Sequence, residues 1–355
     1  MRILFTPNWT VHHLDIDDGL IQPPDKQVAD QGYWFFRYFP SGYQVDIIDR
    51  GRKSWFRDFE KKIKFYILQP IRAFRKRNTY DIVVSHGAQS GLVYELLCSF
   101  VKKKPPHLMF DIGGLNGARI NHYETPLIRF ALRKRPYILV HSSRQVDFYR
   151  EYYPQLTAKV RFIPFGVDCS YFTPKPTVSR TRTILTFGKA KRDNLTLCEA
   201  FSRIGDKRGY RLIVVGEQEL SRRFAHVNEI SFRPVVPLPE LMRLIAESEF
   251  IVIPLPEYRY SYGQMSFLQS MAMGKALIVT RTTSSVDYIN EAPGVIGVEP
   301  YDVEGMEHAI EDMIGMDHAR REAIGMANRD YVTSNYNECD MSKAICDYIN
   351  EIVNE

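Results

Sequence analysis

Two turns in this 355-residue chain could hold an anion, and two strand ends could handle a proton. The first turn is Phe187-Gly188-Lys189 followed by Arg192-Asp193-Asn194. Gly188 opens a strand-to-helix turn, and Lys189 and Arg192 bring to it the positive charge that stabilises a developing phosphate oxygen. A solvated basic turn has the same composition. The second turn lies between residues 250 and 280. Residues 250–255 form a short apolar run, and a loop carrying Glu257, Ser261 and Gly263 follows. Residues 264–273 pattern as a helix, Gly274-Lys275 stops it, and 276–280 is a second apolar run. A helix starting at the carboxyl edge of a parallel sheet, here at Gly263 and Gln264, offers backbone N–H groups and a positive dipole end to a diphosphate. A βαβ unit packed only for stability would read alike. Asp111 follows the run Leu108-Met109-Phe110 and precedes Gly113-Gly114. Its carboxylate could deprotonate a hydroxyl, or it could cap the turn at Gly113. His86, before Gly87, is either a second proton-handling group or a core residue. His12, His13, Asp15, Asp17 and Asp18 have metal-ligating side chains, but a loop does not guarantee convergent geometry, and no metal site is assigned.

Strands and helices must hold these turns. Apolar runs at 3–6, 43–48, 82–85, 108–112 and 137–141 alternate with helical stretches at 27–38, 91–100 and 144–152. After a proline-rich join at 164–176 the alternation restarts, with runs at 183–187, 211–215, 229–232, 250–255, 276–279 and 294–298. Helical stretches at 304–316, 317–334 and 342–353 close the chain. The pattern predicts an α/β fold of two doubly wound, parallel sheets. The boundaries are 1–170, 177–335 and a terminal helix at 336–355, and each main segment is long enough for its own core.

Composition is that of a globular protein, with 45% hydrophobic and 25% charged residues. Five scattered cysteines without CxxC spacing predict free thiols in a reducing compartment and no zinc site. Residues 1–5 already read as a strand rather than a leader, and no apolar run approaches the ~20 residues of a spanning helix. A cytoplasmic location is expected. Residues 1–175 carry a net +11 and the rest −6, so only the first half is suited to a polyanionic surface.

Residues 54–77 place Phe56, Phe59, Ile63, Ile67, Ile71 and Phe74 at three- and four-residue spacing on one helical face. Lys53, Arg57, Lys61, Lys64, Arg72 and Arg75 form a basic stripe beside it, and Pro70 should kink or divide the helix. Such a helix suits an anionic bilayer surface; a core-facing stripe with solvated lysines is the competing reading. Lys102-Lys103-Lys104 and Arg133-Lys134-Arg135 add basic clusters. No groove-reading motif accompanies the charge, and a nucleic-acid partner is not expected.

Four pieces in order resemble glycosyltransferase family four and its GT-B relatives. Residues 263–275 (GQMSFLQSMAMGK) resemble the signature E-G-F-G-x-x-x-x-E-A-M-A-x-G-x-P. Phe162-Ile163-Pro164-Phe165-Gly166-Val167-Asp168 resembles the interdomain turn. Residues 187–194 resemble the phosphate loop, and Leu212-Ile213-Val214-Val215-Gly216 the following strand and turn. The resemblance implies a GT-B fold, with an acceptor domain first, a nucleotide-sugar domain second, and last helices that cross back to the first. It implies a sugar transfer from a nucleotide diphosphate sugar, with a UDP-sugar favoured, to a glycan or lipid-linked acceptor in surface polysaccharide or glycoconjugate synthesis. It also implies no catalytic metal or other cofactor, and a position at the inner face of the cell membrane. Gly188, Lys189, Arg192, Gly263 and Gln264 would meet the diphosphate, Gln269 the ribose, and Arg233 the base. The family's two glutamates fall on Ser261 and Gln269; Glu257 could reach the space of the first. Asp111 stands about where relatives carry a histidine. These departures leave stereochemistry open and keep two alternatives, a non-catalytic partner subunit and a non-hydrolysing nucleotide-sugar epimerase.

Overall fold

The computed structural model describes residues 1–18, 21–51, 57–63, 65–113, 115, 126–175, 181–188 and 191–355. The chain divides into two compact units. Unit 1 comprises Met1–Pro164, Arg259–Ser261 and Cys339–Glu355; unit 2 comprises Phe165–Tyr258 and Tyr262–Glu338.

Unit 1 is built on β1 (Arg2–Thr6), β4 (Gln44–Ile47), β5 (Ile82–His86), β6 (His107–Phe110), β7 (Tyr137–Val140) and β8 (Val160–Phe162). Two short strands, β2 (His12–Leu14) and β3 (Lys26–Val28), pair separately. The main sheet has the order β4-β1-β5-β6-β7-β8, and all its pairings are parallel. Strands buried on both faces become continuous apolar runs, which is why β5 and β7 lack alternation. The helices are α1 (Arg57–Ile63), α2 (Leu68–Lys76), α3 (Ala88–Cys98), α4 (Pro126–Leu132) and α5 (Ser143–Tyr152).

Unit 2 repeats the plan with β9 (Thr183–Phe187), β10 (Arg211–Val215), β11 (Ile230–Arg233), β12 (Phe250–Ile253), β13 (Leu277–Thr280) and β14 (Val295–Val298). Its order is β11-β10-β9-β12-β13-β14, again parallel throughout. The helices are α6 (Asn194–Arg203), α7 (Leu238–Glu247), α8 (Gln264–Ala272), α9 (Val286–Ile289), α10 (Val303–Gly315) and α11 (His318–Asn335). Its core packs Phe201, Leu197, Phe250, Ile278 and Ile310 between sheet and helices. The last helix, α12 (Glu338–Asn354), serves unit 1: Asn350 accepts the Tyr43 hydroxyl at 2.7 Å, and Glu351 pairs with Arg161. The two parallel, doubly wound sheets expected from the sequence are present.

Two expected helices differ. Residues 27–38 form β3 and a short turn at Trp34–Phe36 instead. Asp30 is left-handed (φ 59°), and a Cβ on Gly32 would lie 2.8 Å from the Arg37 backbone, so the chain folds too sharply there for a helix. The stretch 54–77 divides into α1 and α2, with residue 64 outside the described residues. The break is made by Glu60, whose buried carboxylate accepts the Ile67 and Leu68 amides at 2.7 and 3.0 Å and caps α2. Pro70 sits in the first turn of α2, where its missing N–H costs nothing.

Candidate active site

In a doubly wound sheet, the loops leaving the strands diverge where the strand order reverses, and that gap receives ligands. In unit 2 the reversal lies between β9 and β12. The loop after β9 carries Gly188, Lys189 and Arg192; the loop after β12 leads to Gly263 and α8.

Gly188 has φ 144°, and a Cβ there would lie 2.6 Å from the Arg192 guanidinium, so the turn needs glycine for conformation and for space. Arg192 donates to the carbonyls of Phe187 and Lys191, each at 3.0 Å, and at 2.6 Å to the Ser266 hydroxyl in the first turn of α8. Burial lowers its pKa to about 10, which leaves a full charge at neutral pH. Asp193 caps α6 by accepting the Thr196 amide at 3.3 Å and its hydroxyl at 2.6 Å. Gly263 takes φ 81° before α8, and a Cβ there would lie 2.9 Å from Leu255. The buried Gln264 amide donates to the Ser284 carbonyl at 3.1 Å. The structure therefore brings Gly188, Arg192, Gly263 and Gln264 together at one helix start. Lys189 lies outside the described residues.

Lys191 was not singled out from the sequence. It is left-handed (φ 57°), with its ammonium 5.8 and 5.7 Å from the Tyr258 and Tyr262 ring centroids. Although the residue as a whole is exposed, desolvation of the ammonium lowers its pKa to about 8. The only sequence signal was a tyrosine at every second position from Tyr258 to Tyr262.

Gln269 is 6% exposed on the buried side of α8, and no hydrogen bond joins its side-chain amide to another described residue. Arg233 ends β11, half-buried, beside Phe232. Phe232 lines an open cavity of about 740 Å³ with Gln218, Glu219, Ser221 and Arg222. Glu257 is exposed and braced: its carboxylate accepts the Thr283 amide at 3.2 Å, and its own amide donates to the Tyr301 hydroxyl at 3.1 Å. Ser261 belongs to unit 1, where its buried hydroxyl donates to the Gln145 side chain.

The reversal in unit 1 lies between β1 and β5. His86 ends β5, buried, with Nδ1 3.3 Å from Asn8 Oδ1. Trp9 meets it edge-on at 4.6 Å, Phe35 stacks on it at 5.5 Å, and His141 in turn stacks on Phe35 at 6.5 Å. Burial depresses the His86 pKa to about 3, helped by His141, itself lowered to about 4 by burial. Both imidazoles are neutral at neutral pH, and His86 is a weak base in an aromatic wall.

Asp111 corrects one expectation. It is fully buried: one oxygen accepts the Gly113 and Leu115 amides at 3.0 and 3.4 Å, and the other accepts the Tyr149 hydroxyl at 2.7 Å. This geometry fits the capping reading, because a carboxylate without an exposed face cannot reach a substrate hydroxyl. A network the sequence did not reveal lies at the other end of β6. His107 Nε2 is 2.9 Å from Ser85 Oγ, its Nδ1 is 2.8 Å from Glu95 Oε1, and Lys104 reaches Glu95 at 2.5 and 2.7 Å. That sequence of groups is the order of a nucleophilic triad, but Ser85, His107 and Glu95 are sealed in the core and act in packing. In the loop after β2, Asp17 pairs with Lys26 at the start of β3. Among the described residues, no three His, Cys, Asp or Glu side chains converge on a metal position.

Of the surface expected from 54–77, Phe56 and Lys64 lie outside the described residues, as does the Lys61 side chain. Phe59 is 48% exposed and Arg72 is exposed, whereas Ile67 is half-buried and Phe74 packs on the core. Among the described residues, no helix is long and apolar enough to cross a membrane.

Residues 181–315 match the family described as Glycosyl transferases group 1. No curated protein matches the sequence. Solved structures match over the full length. Sucrose-phosphate synthase from Thermosynechococcus elongatus aligns with TM-score 0.72 at 14% identity, covering 100% of both chains. A glycosyltransferase from Rickettsia africae aligns with TM-score 0.68 at 18% identity, covering 100% of this chain and 99% of its own. HepE from Anabaena, solved with UDP and glucose, aligns with TM-score 0.69 at 13% identity, covering 99% of this chain and 100% of its own. The group 1 match thus falls on the second of two doubly wound sheets, and the chain as a whole has the GT-B fold of these structures.

Proposed function

We propose that the protein transfers a sugar from a UDP-sugar to a glycan or lipid-linked acceptor, in the synthesis of a surface polysaccharide or glycoconjugate. The observation that carries this reading is Arg192, bonded to Ser266 at the start of α8 and held behind Gly188. A diphosphate there would meet the guanidinium and the amides of the helix start, which oppose the charge of the leaving group without a metal. Gln269, buried with an unengaged amide, suits a ribose hydroxyl, and the cavity lined by Phe232 and Arg222 suits a base. HepE, of the same fold, was solved with UDP and with UDP-glucose, which supports a uridine donor. In unit 1 the neutral His86 wall would contact the acceptor. The basic first unit would face an anionic membrane at the cytoplasmic side.

The experiment is donor turnover: UDP-sugars are incubated with the protein, with and without a membrane glycolipid extract, and UDP release is followed. Acceptor-dependent release supports transfer. Conversion of the donor sugar without acceptor identifies an epimerase. One observation favours a third reading, a non-catalytic partner subunit: Ser261 replaces a carboxylate and its hydroxyl is engaged by Gln145. Binding of UDP with no turnover of any donor would establish it.

A further inference from the structure

A cluster of exposed cations around one exposed phenylalanine forms at the edge of unit 1 opposite His86 and Asp111. Helices α2, α3 and α4 each run back against the parallel strands, so each ends where β5, β6 or β7 begins. The three ends are joined by contacts. Arg133, after α4, donates to the Ser99 carbonyl after α3 at 2.6 Å and lies 4.0 Å over the Phe130 ring. Arg77, after α2, lies 4.0 Å over Phe74, which packs on the core cluster containing Cys98 of α3. Phe100 stands among these ends, 5.9 Å from Phe130 and 74% exposed. Arg75, Lys76, Lys102, Lys103, Lys134 and Arg135 are all exposed. Among the described residues, none of them makes an ion pair, whereas the neighbouring carboxylates are engaged. Asp81 accepts the Arg2 amide, Glu355 accepts the Tyr137 hydroxyl, and Glu95 is buried against Lys104 and His107.

The geometry points to this edge as a docking surface for an anionic lipid bilayer, with Phe100 entering the interface and the surrounding lysines and arginines meeting lipid phosphates. The inference rests on the membrane-side reading above but moves the contact from the α1 stripe to the ends of α2, α3 and α4. Convergent helix C-termini attract cations, and an exposed apolar ring amid cations suits a headgroup layer better than water. An elongated nucleic acid is less well matched, because one isolated ring offers no succession of bases to stack on. With strands of four or five residues, the docked protein would hold its candidate acceptor loops roughly 15 Å above the headgroups, open to a glycan rising from the surface.

The test is flotation of the full-length protein on phosphatidylcholine vesicles with and without phosphatidylglycerol. The variants are Lys102→Glu/Lys103→Glu, Phe100→Ser, and a charge-matched control, Arg320→Glu/Lys343→Glu. Recovery should require phosphatidylglycerol and fall at least about 25-fold in the double lysine variant, at roughly five-fold per basic residue. It should fall several-fold in Phe100→Ser and stay unchanged in the control. Equal recovery on neutral vesicles, an equal loss in the control, or preferential binding to single-stranded DNA would overturn the proposal. Thermal melting and UDP binding are measured on the same samples without vesicles. An unchanged cooperative melt of unit 1 shows each variant folded; UDP binding should be intact in all of them, and its absence from the wild type would count against the donor reading alone.

Discussion

At the scale of single residues, similar side chains have different tasks according to their surroundings. Asp111 and Glu257 both follow strands, yet Asp111 is sealed beneath Tyr149 while Glu257 stays exposed. Replacing Asp111 by alanine would leave the Gly113 and Leu115 amides and the Tyr149 hydroxyl without their acceptor. A loss of roughly 3 kcal/mol in unfolding free energy is expected, with UDP affinity preserved. Denaturant titration beside calorimetry checks this; preserved stability with lost turnover would return Asp111 to the chemistry. The histidines make a pH prediction. The unfolded chain protonates His86 and His141 near the ordinary 6.5, whereas the folded chain does so only near 3 and 4. Between those values the unfolded state holds more protons. Stability is therefore full above about pH 6.5 and falls as pH drops, by up to ~1.4 kcal/mol per pH unit for each residue. His86→Phe should flatten that slope in thermal melts taken between pH 4 and 7, and an unchanged slope would remove His86 as a source.

At the scale of elements, the start of α8 is set by one glycine. A side chain on Gly263 would meet Leu255 and force an unfavourable positive φ. Gly263→Ala should cost about 1–2 kcal/mol of stability and weaken UDP binding as the helix start shifts. Unchanged affinity would separate α8 from the donor site. The strands and α8 were legible because burial on both faces makes a parallel strand a continuous apolar run. The helix expected at 27–38 was not, because the apolar spacing did not reveal the left-handed Asp30 or the tight approach at Gly32. The stripe at 54–77 was real in spacing, but its break depended on Glu60 folding back onto the Ile67 and Leu68 amides, which no periodicity shows.

At the scale of the molecule, unit 1 is assembled from both ends of the chain. Ile345, Ile349 and Ile352 of α12 are buried. Deleting residues 339–355 should abolish the cooperative melting of unit 1 while UDP binding survives in unit 2, as read by calorimetry; loss of both together would tie the donor site to unit 1. The candidate donor side was more legible than the candidate acceptor side. The sequence grouped Gly188, Arg192, Gly263 and Gln264 through a resemblance to a phosphate loop and a helix-start signature, and the fold puts them at the strand-order reversal of unit 2. It missed Lys191, whose role depends on Tyr258 and Tyr262 coming near it across a loop. It left Asp111 between two roles because only burial decides between them. The claim on which the rest depends is that the reversal between β9 and β12 holds a nucleoside diphosphate. Its most direct measurement is calorimetric titration of UDP, GDP, ADP and dTDP into the wild type and the Lys189→Ala/Arg192→Ala variant. Selective binding of UDP, weakened at least about 10-fold in the variant, is the expected result. Binding of none of the four, or UDP affinity unchanged in the variant, would contradict it.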